Sequence, residues 1–198
     1  MPDAVRVLGV VGSPREGGNT DTLVSTVLEA AESLGAKTSK LFVDRYAIAP
    51  CRSCGACVPT GRCIYRDGMD ELLSALGEHD VWVLGTPVYW WGPTAQLKTF
   101  VDRWFAPWAN AETRKLFRGR VAVTVVALGD SHAAVARHTV GMFSDVFTFL
   151  GIPVVGTVVA PGVGGSGIAA GADVLRRPEI LDAAREAGRA AVERVRSP

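Results

Sequence analysis

The sequence lacks most of what would commit it to a charged surface, a membrane or export. It has almost no excess of charge, with 21 Lys and Arg against 20 Asp and Glu and a formal net charge of +1. Without a run of basic residues it presents no electrostatic footprint for nucleic acid or an anionic membrane, so neither partner is expected. Long apolar runs are missing too: Val5 to Val11 contains Arg6 and is too short to span a bilayer. The opening Met1-Pro2-Asp3 has neither the basic region nor the small-residue cleavage site of a secretory signal, and a cytoplasmic location is the expectation. Cysteine is scarce, with 4 in the chain, all between Cys51 and Cys63. That is no framework of structural disulfides; in a reducing compartment such clustering points to metal or redox chemistry. Internal repeats, low-complexity tracts and Pro/Ser linkers are absent, so residues 1–198 are expected to form one domain with a cysteine-rich loop at about 50–66. What is present, 48% hydrophobic and 21% charged residues, matches an ordinary globular chain and excludes disorder as a whole-chain reading.

Short β-branched runs alternate with helical spacing along the whole chain. Strands are expected at Val5 to Val11, Thr38 to Val43, Val81 to Leu84, Val121 to Ala127 and Ile152 to Val159. Between them lie helices carrying Leu23, Val27, Ala31 and Leu34; Met69, Leu72, Leu73 and Leu76; Leu97, Phe100, Val101 and Trp104; and Val135, Met142, Val146 and Phe149. A last helix is expected from about Pro178 to Val195. Parallel neighbours need crossover connections, so this alternation implies an open, doubly wound α/β sandwich around a five-stranded parallel sheet.

In such a sheet, ligands bind beyond the carboxyl ends of the strands where strand order reverses. Three loops qualify. Gly12 to Thr20, which includes Ser13, Arg15, Gly18, Asn19 and Thr20, is crowded with small residues and hydroxyls where a helix begins. Free N–H groups there, with the Ser13 and Thr20 hydroxyls and the Arg15 charge, suit a phosphate. It is neither a P-loop nor a dinucleotide fingerprint, since it has no Gly-Lys-Ser/Thr ending and the wrong glycine spacing. The alternative is an ordinary turn with Asn19 or Thr20 as the N-cap. The second loop carries Pro87, Val88, Tyr89, Trp90, Trp91 and Gly92, and suits a flat aromatic ligand held by rings and main-chain N–H groups. Trp90 and Trp91 would alternatively cover a helix or pack in a subunit interface. The third loop, Leu128 to His132 with Gly129, would close the other side. A phosphate site beside an aromatic site describes a mononucleotide. Gly162 to Gly167 satisfies G-x-G-x-x-G formally, but no helix opens immediately after it, and it reads as a flexible cover. His79, His132 and His138 read as solvent or packing residues, with His79 and His138 on helices.

Gly-Ser-Pro-Arg at 12–15, Gly-Asn-Thr at 18–20, Pro-Val-Tyr-Trp-Trp-Gly at 87–92 and Gln-Leu-Lys-Thr-Phe-Val-Asp-Arg at 96–103 together resemble the flavodoxin-like NAD(P)H-dependent FMN reductase family, nearest its iron-sulfur flavoprotein branch. The resemblance implies a flavodoxin-like α/β/α sandwich with strand order 2-1-3-4-5 and a tightly held FMN. Its phosphate would lie on Ser13, Arg15, Asn19 and Thr20, and its ring along the backbone of Pro87 to Gly92. The third loop departs from the family pattern, with Gly129-Asp130-Ser131 in place of paired glycines. The implied activity is an FMN-dependent oxidoreductase that takes electrons from NAD(P)H and reduces a flavin, quinone or similar small acceptor, as a homodimer or homotetramer. Asp102-Arg103 belongs to the same motif and reads as a structural ion pair or interface element.

Cys51-x-x-Cys54-x-x-Cys57, followed by Cys63, lets one loop wrap a compact cofactor. Bacterial ferredoxins hold cubane clusters with the same opening spacing, whereas structural zinc more often uses two separated Cys-x-x-Cys knuckles, so iron-sulfur is favoured over zinc. Free thiols, a redox-active disulfide or simple packing remain open on the residues alone. The resemblance implies a 4Fe-4S cluster on Cys51, Cys54, Cys57 and Cys63 near FMN, with ferredoxin as donor. Two other readings are a flavodoxin-like carrier with little turnover and a thiol-based redox sensor.

Overall fold

The computed structural model describes residues 4–164 and 172–197. Its strands are β1 (Arg6–Val11), β2 (Lys37–Phe42), β3 (Val81–Pro87), β4 (Val121–Ala127) and β5 (Val154–Ala160). The α-helices are α1 (Asn19–Ser33), α2 (Met69–Gly77), α3 (Ala95–Asp102), α4 (Phe105–Ala109), α5 (Arg137–Leu150) and α6 (Pro178–Arg196). The sheet is ordered β2-β1-β3-β4-β5, and each neighbouring pair is parallel. The expected flavodoxin-like sandwich is therefore what the chain forms.

The strand period of two decides which core each side chain enters. On β1, Val7 and Val11 join the layer under α1 and α6, while Leu8 and Val10 join the layer under α2, α3 and α5. Gly9 also faces α1: a Cβ there would stand 2.7 Å from Val24 Cγ1 and 2.9 Å from Leu28 Cδ1, so β1 and α1 approach more closely than any side chain allows. Small residues let α6 approach in the same way, since a Cβ on Gly156 would lie 2.6 Å from the Ala187 Cβ. On the opposite face, Trp82 is fully buried and donates its indole N–H to the Leu76 carbonyl at 3.0 Å.

Several boundaries shift for physical reasons. β3 runs past Leu84 through Pro87, in register with β4. Gly85, which reads locally as a strand breaker, is instead a packing glycine whose missing side chain makes room for Val24 and Thr20. The expected third helix is divided. α3 ends at Asp102, and Trp104 is the N-cap of α4. Pro107 has no N–H to give the Arg103 carbonyl, so one continuous helix would lose that bond and meet the proline ring. Val135 lies in a 3-10 turn (Ala133–Ala136) that leads into α5. His79 lies just past α2 and not on it, buried with Nδ1 2.7 Å from the Ala75 carbonyl oxygen, a packing role. Of the G-x-G-x-x-G segment, Gly162 to Gly164 are described and the remainder lies outside the described residues.

Candidate active site

Strand order reverses between β1 and β3, the crevice where an open α/β sheet binds its ligand. The two strand ends are tied together there. Gly12 N–H donates to the Gly85 carbonyl at 2.8 Å, and the Thr94 hydroxyl donates to the Gly12 carbonyl at 2.6 Å. Thr94 also caps α3, its Oγ1 accepting from Leu97 N–H at 3.3 Å, while its own N–H donates to Thr86 Oγ1 at 3.1 Å. A cavity of about 150 Å³ opens beside this knot, lined by Ser13, Arg15, Gly18, Asn19, Thr20, Pro87, Val88, Tyr89, Ala127, Leu128, Gly129, Val163 and Gly164.

The first loop is shaped from within. Ser13 Oγ accepts from Arg15 N–H at 3.2 Å. Asp21 Oδ2 accepts from Gly17 N–H at 2.8 Å, and Lys40 Nζ, 2.7 Å from Asp21 Oδ1, balances that buried carboxylate. α1 begins at Gly18 with no side-chain cap. Its first N–H groups are left for whatever fills the cleft, at the positive end of the helix dipole. Asn19 is engaged differently from the expectation that it serves the ligand or caps the helix by its side chain. Its Nδ2 donates to the Val163 carbonyl, and its Oδ1 accepts from Val174 N–H at 2.9 Å. The amide thus ties Val163 and Val174 to the start of α1 and leaves the Asn19 backbone toward α1's open end.

On the second loop, Pro87, Val88 and Tyr89 reach the cleft, with Val88 N–H held by the Ala127 carbonyl at 2.8 Å. Trp90, Trp91 and Gly92, expected along the same ligand, are not part of the lining. Trp90 and Trp91 take left-handed φ values of 49° and 63° in a tight turn closed by Tyr89 N–H to Gly92 O at 2.8 Å, and Trp90 is 91% exposed. Two bulky residues in that region carry a backbone cost that a plain connection would avoid. Gly129 from the third loop does line the cleft, against Gly164.

The cysteine loop leaves the carboxyl end of β2, next to β1, so it issues from the same end of the sheet as the cleft. Cys51, Cys54, Cys57 and Cys63 all border one small, largely apolar cavity, with Arg52, Ile64, Tyr65, Arg103 and Phe105 around it. Among the described residues, no three His, Cys, Asp or Glu side chains form a group able to hold a metal ion. Burial pushes the Cys57 thiol up, a hydrogen bond from its own backbone opposes this, and the neighbouring Cys63, Cys51 and Cys54 push it up further.

Arg103 closes the base of this loop. It is 2% exposed, and its Nη1 donates to the Ala49 carbonyl at 2.7 Å and to Asp67 Oδ2 at 2.8 Å, with Nη2 3.1 Å from Asp67 Oδ1. Asp67 also accepts from the N–H groups of Ala49 at 3.0 Å and Met69 at 3.1 Å. Burial pushes the Asp67 carboxyl up, but the hydrogen bond from Arg103, the two backbone donors and the Arg103 charge outweigh it, and the net shift is downward. One forked ion pair therefore ties both ends of the loop to the end of α3. Asp102 and Arg103 do not pair with each other; Asp102 takes Lys98 at 2.6 Å on the surface.

Leu128 lines the cleft with the third loop, as expected, and Val163 and Gly164 come from the segment read as a cover; sequence reasoning missed Ala127 and the Asp67 to Arg103 fork beneath the cysteines. Strand pairing brings Ala127 beside Pro87. Asp67 and Arg103 are 36 residues apart, with no local pattern to join them.

Sheet order, switch-point cleft and uncapped helix start define a flavodoxin-like nucleotide-site architecture. The sequence profile described as NADPH-dependent FMN reductase matches residues 5–164, and the chain belongs to that family of FMN-dependent oxidoreductases. It is 33% identical over 159 residues to an iron-sulfur flavoprotein of Archaeoglobus fulgidus, covering 80% of this chain and 70% of the relative. An iron-sulfur flavoprotein of Methanocaldococcus jannaschii is 31% identical over 194 residues, covering 97% of this chain and 98% of that one. Among solved structures, an NAD(P)H:quinone oxidoreductase from Methanothermobacter marburgensis superposes with a TM-score of 0.71 at 17% identity, covering 94% of this chain and 96% of that one, a likeness of fold. No helix among the described residues is long and apolar enough to cross a membrane.

Proposed function

We propose that the protein binds FMN in the switch-point cleft and passes electrons from NAD(P)H through it to a small acceptor such as a flavin or quinone. The observation that carries this reading is the uncapped start of α1 facing a cleft that Ser13, Arg15 and Thr20 also line. Those groups fit a phosphate: N–H donors and hydroxyls surround it, and Arg15 supplies charge. Gly18 and the Asn19 backbone complete the cradle. The cavity of about 150 Å³ is below the roughly 300 Å³ at which drug-sized ligand pockets begin. It therefore suits the phosphate end, with the flavin ring along Pro87, Val88, Tyr89 and Gly129 at its rim. Bound there, FMN supplies the hydride and single-electron chemistry, and the protein's part is to hold and orient it with one side open to donor and acceptor in turn.

The cysteine loop favours a second, compatible role, that of an iron-sulfur flavoprotein. Four thiols around one apolar cavity with a buried cation beside them suit an anionic 4Fe-4S cluster, held by Cys51, Cys54, Cys57 and Cys63. A cluster would also open the protein to one-electron donors such as ferredoxin. The groove lined by Val101, Phe105, Trp108, Val146 and Phe149, with Phe149 68% exposed, supports a homodimer or homotetramer that covers it.

The test is the visible spectrum of protein purified without oxygen, before and after dithionite, followed by steady-state NAD(P)H oxidation with a quinone acceptor. Flavin bands with catalytic turnover support the reductase. Additional broad iron-sulfur absorption supports the cluster. A protein that takes up no FMN overturns the reading, and one that binds FMN but exchanges electrons only stoichiometrically is a carrier.

A further inference from the structure

Among the described residues, two buried side-chain nitrogens have no hydrogen-bond partner, Arg103 Nε and Trp104 Nε1. The Trp104 indole sits among Trp82, Phe100, Phe117 and Phe147, where no ligand chemistry is offered. Arg103 is different, because its side chain borders the cavity that the four cysteines share.

The guanidinium is oriented by its other nitrogens. Nη1 and Nη2 are fixed on Asp67, and Nη1 also on the Ala49 carbonyl. The Tyr65 ring lies 5.4 Å from Cζ on another side. Rotation to satisfy Nε would break that fork. A buried N–H left without an acceptor costs free energy, and the fold keeps this one beside the only cysteines in the chain. A negatively charged sulfur ligand held in that shared cavity would offer such an N–H an acceptor.

We propose that Arg103 is the tuning residue of the cysteine site, its Nε–H donating a hydrogen bond to sulfur of the cluster held by Cys51, Cys54, Cys57 and Cys63 and raising that cluster's reduction potential. The inference rests on the iron-sulfur reading above. Its physical basis is that reduction adds one negative charge to the cluster, and a donor and fixed cation at the sulfurs stabilise the reduced form more than the oxidised one. Arg103 thus acts on the cluster directly, and Asp67 is the positioning residue that aims it. No thiol chemistry is required of the arginine itself.

The experiment compares wild type, Arg103→Lys and Asp67→Asn, each loaded with iron and sulfide without oxygen, by iron content and by potentiometric titration of the cluster absorption. Lysine keeps the positive charge and a partner for Asp67 but has no Nε–H at that place, so the midpoint potential falls at unchanged iron content. Asp67→Asn removes a negative charge while leaving the Nε donor, and the potential rises. Opposite signs are the signature, because a merely structural clamp would move both variants the same way. If Arg103→Lys does not fold, the pair is replaced together as Arg103→Met with Asp67→Leu, an apolar substitution that buried ion pairs often tolerate, and the potential must fall again. Loaded variants with the wild-type potential, or shifts of one sign, overturn the role of Arg103 alone. A wild-type chain that takes up no iron overturns the cluster reading and this role with it.

Discussion

Replacing Asp67 by alanine should be among the most damaging single changes outside the two cores. Arg103 is 2% exposed and would keep only the Ala49 carbonyl, losing both bonds of its fork. The N–H groups of Ala49 and Met69 would lose their acceptor at the same time. Removing one partner of a buried pair costs about 3–5 kcal/mol, because the charge left behind is uncompensated. Against a typical total stability of roughly 5–15 kcal/mol this is a large fraction. The assay is urea unfolding at fixed, saturating FMN, run beside trypsin digestion that reads cleavage after Arg52, Arg62 and Arg66. The loop between Ala49 and Asp67 should become the first site cut. The pH dependence has a definite sign. Asp67 ionises below its ordinary range in the folded protein, so its contribution is complete above the unfolded carboxylate value and is lost as pH falls through the lower folded value. The stability gap between wild type and variant should therefore narrow in acid. A loss under about 1 kcal/mol, no larger than for an exposed pair, with unchanged cleavage, would refute the clamp.

Gly9→Ala should cost about 1–3 kcal/mol by overpacking, since its Cβ would sit 2.7 Å from Val24; thermal unfolding reads this as a lower Tm. Arg15→Ala should weaken FMN roughly ten- to a hundredfold, the loss of one charge-assisted hydrogen bond, measured by titrating flavin fluorescence. Cys63→Ser should abolish or sharply reduce iron retention while FMN still binds in stoichiometric amount, because Cys63 borders the thiol cavity and not the cleft; iron analysis and the flavin bands separate the two.

Legibility along the chain followed the range of the interaction. The strands were visible because burial on both faces demands β-branched runs, and the phosphate-type loop was visible because small residues and hydroxyls at a helix start are a local requirement. Trp90 and Trp91 are conspicuous in sequence, but the left-handed turn they occupy has no local signature, and neither is part of the cleft lining. Asn19 lines the cleft, but its side-chain partners Val163 and Val174 come from beyond β5, a pairing no local pattern shows. Gly85 reads as a breaker in isolation and proves to be a contact point with α1.

By itself the sequence determined the α/β alternation, the loops that reach the carboxyl ends of the strands and the clustering of thiols within one loop, because each depends on periodicity or on spacing along a few neighbouring residues. Tertiary structure alone decided which backbone carbonyl and N–H Asn19 secures, where α3 gives way to α4, and that Arg103 and Asp67 meet beneath the cysteines with one N–H left over. Those contacts join segments far apart in the chain. Their geometry is set by how the layers pack, which no local pattern of residue types encodes.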